Sequence, residues 1–169
     1  MCIRDSIWHL GLAGWLLSHD LAPNHVTFVP SQGAASGITD MVAGGVDLIP
    51  SSLAEGRSMI EAGRVKALGT MSEGRQEAFP DVPTIKEALD SDWTLSVWRT
   101  VAAPKGLPDD VKAKLEAALE KVYNTDEYQK FMRDRGFGVR WAGGAEATQI
   151  VAQDDATLGE VMKKAGLAK

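Results

Sequence analysis

The chain has 169 residues, of which 44% are apolar and 24% charged, with 18 Lys and Arg against 23 Asp and Glu, a formal net charge of -5 and one cysteine. A chain of this length can bury a core without metals or disulfides. Its acidic balance, with no basic cluster, speaks against a protein that binds nucleic acid. Cys2 has no second cysteine to pair with, which leaves the cellular compartment open.

The first predicted element is a helix over residues 6–20, in which Ile7, Leu10 and Leu17 recur at helical spacing. Its apolar run is too short for a transmembrane helix. Asp5 and the lack of a small-residue cleavage site after Leu17 disfavour a secretion signal. We therefore expect this helix to belong to the folded protein.

Predicted strands and helices then alternate through residues 25–72. Gly44 and Gly63 each supply the residue that ends a helix before the next strand. Strands separated by helices of about ten residues pair in parallel through right-handed crossovers, which predicts an α/β region. The predicted strands cover residues 25–29, 46–49 and 65–68, and the predicted helices cover residues 34–43 and 53–62.

The middle of the chain carries a surface segment followed by an extended one. Thr84 is predicted to cap a short helix, with Glu87 three residues later as its capping-box partner. Residues 93–103 alternate in a pattern typical of an extended segment, which ends at the proline-rich stretch 104–108.

The C-terminal third is predicted to be helical. One helix begins at Pro108 and runs to about Tyr123, a second begins after Thr125 and stops at Gly136, and a third covers residues 145–165. This part has too little strand to form its own sheet, so its helices must pack on another part of the molecule.

The predicted strand ends offer a ligand site. In an open parallel sheet, ligands bind beyond the carboxyl ends of the strands, where helix N-termini present unpaired N–H groups. Small hydroxyl and glycine residues follow these strands, and we expect no side-chain cation or carboxylate among them. Such a lining suits a small carboxylate, although ordinary caps and turns would use the same residues. The loops are residues 30–35, 50–52 and 70–72.

Catalytic motifs are not found in the sequence, and no enzyme activity or cofactor is expected. It contains no nucleophile elbow, phosphate loop or dinucleotide fingerprint. The spacing of His9 and His19 does not place both on one helical face for a metal. Trp98 and Arg99 lie where the chain passes into the helical part, so they could line a cleft or simply form a packed junction.

Six motifs, in order and spacing, resemble the solute-binding receptors of the tripartite tricarboxylate transporter family, also called Bug receptors. The resemblance covers nearly the whole chain from Ser6 onward. Each motif is weak alone, and together they are specific. The motifs are Ser6-Ile7-Trp8-His9-Leu10, residues 29–35, Gly44-Gly45-Val46-Asp47, residues 62–68, Pro80-Asp81-Val82-Pro83-Thr84 with Glu87, and residues 98–108.

The resemblance implies a two-lobed fold of the type II periplasmic-binding-protein kind, which closes on a small carboxylate-bearing solute without catalysis. Residues 6–97 would form an incomplete second lobe with a parallel sheet, 98–107 the crossing between lobes, and 108–169 helices that pack on the first lobe. The expected partners are the solute and the membrane subunits of the transporter, and the expected location is the periplasm. The candidate ligand-binding residues are Ser6, Ser31, Gln32, Gly33, Ala34, Ala35, Ser51, Ser52, Trp98 and Arg99.

The start of the chain departs from the family pattern. Family members carry a secretion signal, most of the first lobe and a Gly-rich loop before the stretch that corresponds to residues 6–10. Here that stretch follows only residues 1–5, which we interpret as a foreign or misread leader on a C-terminal fragment. Such a fragment is expected to bind solute weakly or not at all, because a cleft needs both walls to desolvate its ligand.

Two other functions share this general architecture and stay open at the level of sequence. One is the effector-binding domain of a transcriptional regulator, and the other is a truncated α/β transferase. A regulator would carry a helix-turn-helix segment, whereas an enzyme would place a nucleophile or base at the strand ends.

Overall fold

The computed structural model describes residues 6–168, in which the chain folds into seven helices. Every helix predicted from the sequence is present, with ends within a few residues of the expected ones. The predicted leader, residues 1–5, lies outside the described residues. The helices are α1 (Ile7–Ser18), α2 (Ala34–Val42), α3 (Leu53–Glu61), α4 (Ile85–Leu89), α5 (Asp109–Tyr123), α6 (Asp126–Asp134) and α7 (Gly144–Lys164).

Local capping explains where these helices begin and end. The Thr84 hydroxyl accepts the N–H of Glu87 at 3.1 Å, and the Glu87 carboxylate accepts the N–H of Thr84 at 2.8 Å, which forms the predicted capping box of α4. Gly44 and Gly63 have φ angles of 80° and 65°, so glycine allows the chain to leave α2 and α3 in a left-handed conformation.

The predicted parallel sheet is not formed within residues 6–168. Segments 25–29, 46–49, 65–68 and 93–103 contain no strand, and the described residues hold a single isolated parallel bridge between Thr70 and Thr84. A strand exists only where a neighbouring backbone completes its hydrogen-bond ladder, whatever its own β propensity. These segments lack such a neighbour over most of their length, and apolar residues such as Val29 and Leu68 are left 55% and 62% exposed.

The core lies where α1 meets α7. Leu10 and Ala13 of α1 are buried together with Val161 of α7, and Trp93 packs against this cluster. Leu17, Leu158, Met162 and Leu167 complete the contact. The last helix thus packs on α1, which lies in the segment 6–97 assigned to the second lobe, and packing of residues 108–169 on a first lobe stays a prediction.

Side-chain hydrogen bonds tie the remaining C-terminal helices to the rest. The Arg57 guanidinium of α3 donates to the carbonyl oxygen of Asp134 at the end of α6, at 2.7 Å. The Glu116 carboxylate of α5 accepts the N–H of Gly144 at 2.7 Å and so caps α7. None of the helices described between residues 6 and 168 is both long and apolar enough to span a bilayer.

Candidate functional site

Five of the candidate residues lie in the loop before α2 and in the first turn of this helix. The Ser31 hydroxyl donates to the carbonyl oxygen of Gly33 at 3.2 Å, which folds the loop back on itself. Gly33 is the N-cap of α2 and has a φ of 152°, an angle that residues with a side chain rarely adopt. Ala34 is buried, whereas Gln32 and Ala35 are exposed. The loop therefore presents the start of α2 to solvent.

The N-terminus of α2 carries no negative group of its own. Its first turn holds no acidic residue, and its glycine N-cap has no side chain to accept a hydrogen bond. The first N–H groups of a helix have no partner within it, and they give this end a partial positive charge. The amides at the start of α2 are consequently available to hydrogen-bond an anion.

The N-terminus of α3 is arranged in the opposite way. Ser52 and Glu55 form a capping box in which Oε2 of Glu55 lies 2.8 Å from the Ser52 hydroxyl and 3.2 Å from its backbone nitrogen. Residues 50–52 contain no carboxylate, as expected, but Glu55 in the first turn of α3 brings one to this loop. The Ser52 hydroxyl is already occupied, and Ser51 donates to the carbonyl oxygen of Ser52 at 3.4 Å.

Sequence reasoning missed Glu55 although a signal for it exists. The pattern Ser-x-x-Glu is the same signature that correctly predicted the Thr84–Glu87 capping box. Applied to Ser52 and Glu55, it places a carboxylate at this helix start.

Apolar contacts hold the first turns of α2 and α3 close together. The side chain of Ile49, just before Pro50, lies so near Gly37 that a Cβ there would be 2.2 Å from Ile49 Cδ1 and 3.5 Å from the Ser31 hydroxyl. A Cβ on Gly56 of α3 would lie 3.9 Å from Ile38 Cδ1. Gly37 and Gly56 are each the fourth residue of their helix, so Ser31 and both helix starts are brought into one region.

The other candidate residues have different surroundings. The indole N–H of Trp98 donates to Oδ2 of Asp154 on α7 at 2.5 Å, and the Trp98 residue is 43% exposed. Arg99 is exposed and donates to the carbonyl oxygen of Trp98 at 3.4 Å. Ser6 precedes α1, where its carbonyl oxygen accepts the N–H of Leu10 at 3.0 Å. Asp154 was not foreseen, since a partner 56 positions away leaves no local signal.

The hydroxyls of the third predicted loop are engaged with nearby polar groups. Thr70 Oγ1 and Ser72 Oγ lie 2.9 Å apart, and the Ser72 hydroxyl donates to the carbonyl oxygen of Gly74 at 2.7 Å. A separate groove of about 380 Å³ lies beside the end of α1, where His19 Nε2 lies 3.0 Å from Ser91 Oγ and the Asp92 carboxylate pairs with Lys86. The start of α2 is thus the better candidate for binding an anion.

Comparison with known proteins gives a consistent result. A family model described as the tripartite tricarboxylate transporter family receptor matches residues 12–167. A UPF0065 protein from the tcbD-tcbE intergenic region of Pseudomonas sp. (strain P51) is 36% identical over 118 residues, which cover 69% of this chain and 34% of that protein.

Solved structures show the same likeness. A TctC solute-binding protein from Polaromonas aligns with a TM-score of 0.81 at 28% identity, over 95% of this chain and 55% of its own. The R. palustris protein Rpa4515, solved with adipate, aligns with a TM-score of 0.72 at 25% identity, over 96% of this chain and 54% of its own. The periplasmic binding protein BugD aligns with a TM-score of 0.71 at 29% identity, over 94% of this chain and 53% of its own.

These alignments confirm that the chain has a fold of the periplasmic-binding-protein kind, although the parallel sheet is not formed in the described residues. They also cover only part of each relative. The chain spans about a third of the length of the curated relative and a little over half of each solved chain.

Proposed function

The chain belongs to the tripartite tricarboxylate transporter receptor family, and from this membership we propose that it forms one wall of a receptor that binds a small carboxylate-bearing solute. The receptor would work in the periplasm and deliver that solute to the membrane subunits of its transporter. Its work is binding rather than catalysis. The family match favours this role over an effector-binding domain of a regulator or a truncated transferase.

The observation that carries the proposal is the uncapped start of α2. No acidic residue lies in its first turn and no side chain caps it, so its N–H groups can donate to a carboxylate oxygen. The Ser31 hydroxyl lies beside this turn, and it can donate to a carboxylate oxygen when it gives up its hydrogen bond to the carbonyl oxygen of Gly33. Ser31, Gln32, Gly33, Ala34 and Ala35 would therefore form the carboxylate-binding loop.

The other candidates take secondary roles in this proposal. Ser52 would be structural, because its polar groups are paired with Glu55, and Ser51 would shape the same turn. Trp98 and Arg99 would belong to the crossing between the two lobes, and Ser6 would help to begin α1. If Arg99→Ala leaves solute affinity unchanged, Arg99 has no part in binding.

Affinity is expected to be low for the chain by itself. Gln32 and Ala35 are exposed, so water competes for the donors at the start of α2. The adipate named in the R. palustris structure suggests a dicarboxylic acid as a first probe.

Ligand-observed saturation-transfer NMR can detect such weak binding. We expect a signal for adipate and a much weaker one for adipamide, which has the same length and no carboxylate. Equal signals from both compounds, or tight binding of adipamide, would contradict carboxylate recognition.

A further inference from the structure

Two adjacent helix starts differ in charge. The first turn of α2 holds no acidic residue, whereas that of α3 holds Glu55. Glu55 Oε2 accepts hydrogen bonds from the backbone and the hydroxyl of Ser52, at 3.2 Å and 2.8 Å. The hydrogen-bond donors of Ser52 at the start of α3 are therefore already occupied by a carboxylate of the protein itself, the side chain of Glu55.

This internal anion is held firmly. The N–H of Glu55 donates back to the Ser52 hydroxyl at 3.4 Å, so three hydrogen bonds fix the two residues together. A carboxylate also gains from its position at the positive end of the helix dipole. A ligand carboxylate would have to displace Glu55 to reach the same donors.

The starts of α2 and α3 lie beside each other. Ile49 lies against Gly37, which brings the segment leading into α3 alongside the first turn of α2. Ile38 of α2 approaches Gly56, which directly follows Glu55. Glu55 is exposed, so its charge reaches the surrounding solution.

We propose that Glu55 is a specificity-determining residue, which lets this wall accept one carboxylate at α2 and disfavours a second anionic group beside it at α3. The inference rests on the proposed function, since it assumes that α2 binds the first carboxylate. Solutes that place a neutral group or a hydrogen-bond donor next to α3 would bind this wall better than those that place a second carboxylate there.

The size of the effect follows from screened repulsion. For a second ligand carboxylate that comes within about 8 Å of the Glu55 carboxylate, the repulsion in water changes the affinity by about two- to threefold. The effect should be measured at low ionic strength, because exposed charges lose most of their interaction within a Debye length of about 10 Å at 0.1 M salt.

The test compares adipate with its monomethyl ester, which has the same chain and one fewer charge. Affinities are obtained from NMR titrations of the backbone amides of Gly33, Ala34 and Ala35. Glu55→Gln removes the charge and keeps a residue that can complete a capping box. Glu61→Gln removes the same charge at the other end of α3 and is the matched control.

We expect Glu55→Gln to raise the adipate-to-monoester affinity ratio about two- to threefold. Glu61→Gln should leave this ratio unchanged. An adipate-to-monoester ratio that is the same in Glu55→Gln and wild type, or that rises equally in Glu61→Gln, would overturn the inference while the proposed function stands. If neither acid shifts these amides in the wild type, the proposed function fails and this inference fails with it.

A second measurement requires no variant. In the wild-type chain, raising the salt from about 0.01 M to about 0.15 M should raise the adipate-to-monoester affinity ratio, because the salt screens the repulsion from Glu55 together with that from the net charge of -5. A ratio that falls or stays constant would contradict the inference even if Glu55→Gln failed to fold.

Discussion

The indole ring of Trp93 lies directly across Gly14 of α1. A Cβ at position 14 would stand 2.3 Å from both Cζ2 and Cη2 of Trp93, closer than real atoms approach. Trp93 also packs on the cluster of Leu10, Ala13 and Val161. Because Gly14 has no side chain, it leaves the space through which Trp93, in the extended segment after α4, reaches the core between α1 and α7.

Gly14→Ala is expected to destabilise the protein. The added methyl group must displace a half-buried tryptophan, and overpacking of this kind costs about 1–3 kcal/mol. Urea unfolding followed by tryptophan fluorescence measures the change in the free energy of unfolding.

Gly159→Ala is the matched control, because Gly159 is also helical and its Cβ would meet nothing within 4 Å. Replacing glycine by alanine in a helix stabilises by about 0.5–1 kcal/mol when there is room. Equal effects of the two substitutions would contradict the packing of Trp93 on Gly14.

The two serines near the helix starts should behave differently. Ser52→Ala removes the hydroxyl that caps α3 and is expected to cost about 1 kcal/mol of stability. Ser31→Ala should change stability by about 0.5 kcal/mol or less, yet weaken adipate binding. Thermal unfolding and saturation-transfer NMR on the same samples measure both quantities. The assignment is wrong if Ser52→Ala weakens binding and leaves the melting temperature unchanged.

Acid should weaken the capping box of α4. The hydrogen bond from the Thr84 backbone N–H lowers the pKa of the Glu87 carboxyl, and the Arg75 guanidinium, 3.0 Å away, lowers it further. In the unfolded chain the Glu87 carboxyl has its ordinary pKa, so it binds a proton at a higher pH than it does in the folded chain. The stabilisation is therefore fully present above the ordinary pKa of about 4.3 and is lost as the pH falls through the lowered value.

Glu87→Gln should flatten this pH dependence, because glutamine can keep the capping box and does not titrate. The free energy of unfolding, measured from about pH 6 to about pH 3, gives the slope for each protein. Glu77→Gln controls for the change in net charge. Identical slopes for Glu87→Gln and wild type would contradict the role given to Glu87.

Self-association is expected from the apolar side chains of the unpaired extended segments. Leu68 is 62% exposed and Val29 is 55% exposed, and clusters of exposed apolar surface promote contacts between molecules. The weight-average mass in sedimentation should rise with concentration, and it should rise less for Leu68→Ser. A monomer at all concentrations would show that these segments do not drive association.

Local chemistry made much of the fold predictable. The capping pairs and the stop glycines act within a few residues, so the signals at Thr84, Gly44 and Gly63 could be interpreted directly from the sequence. Strand pairing depends on which backbone lies alongside, and β propensity in residues 25–29 says nothing about that. The predicted sheet failed for this reason.

The candidate site was also predictable only where local sequence signals determine its structure. The loop from Ser31 to Ala35 was predicted from small residues before a helix, and the structure places it at the start of α2. The approach of Ile49 to Gly37, which brings α3 beside it, depends on packing between segments and has no local signature. Whether the loop binds a carboxylate stays a prediction.

The most direct test of that central claim is an amide-resolved NMR titration of the wild-type chain with adipate. We predict that the largest shifts fall on Gly33, Ala34 and Ala35, because their N–H groups lie at the uncapped start of α2. Shifts that are largest elsewhere, or no shift at these amides at millimolar adipate, would contradict the account.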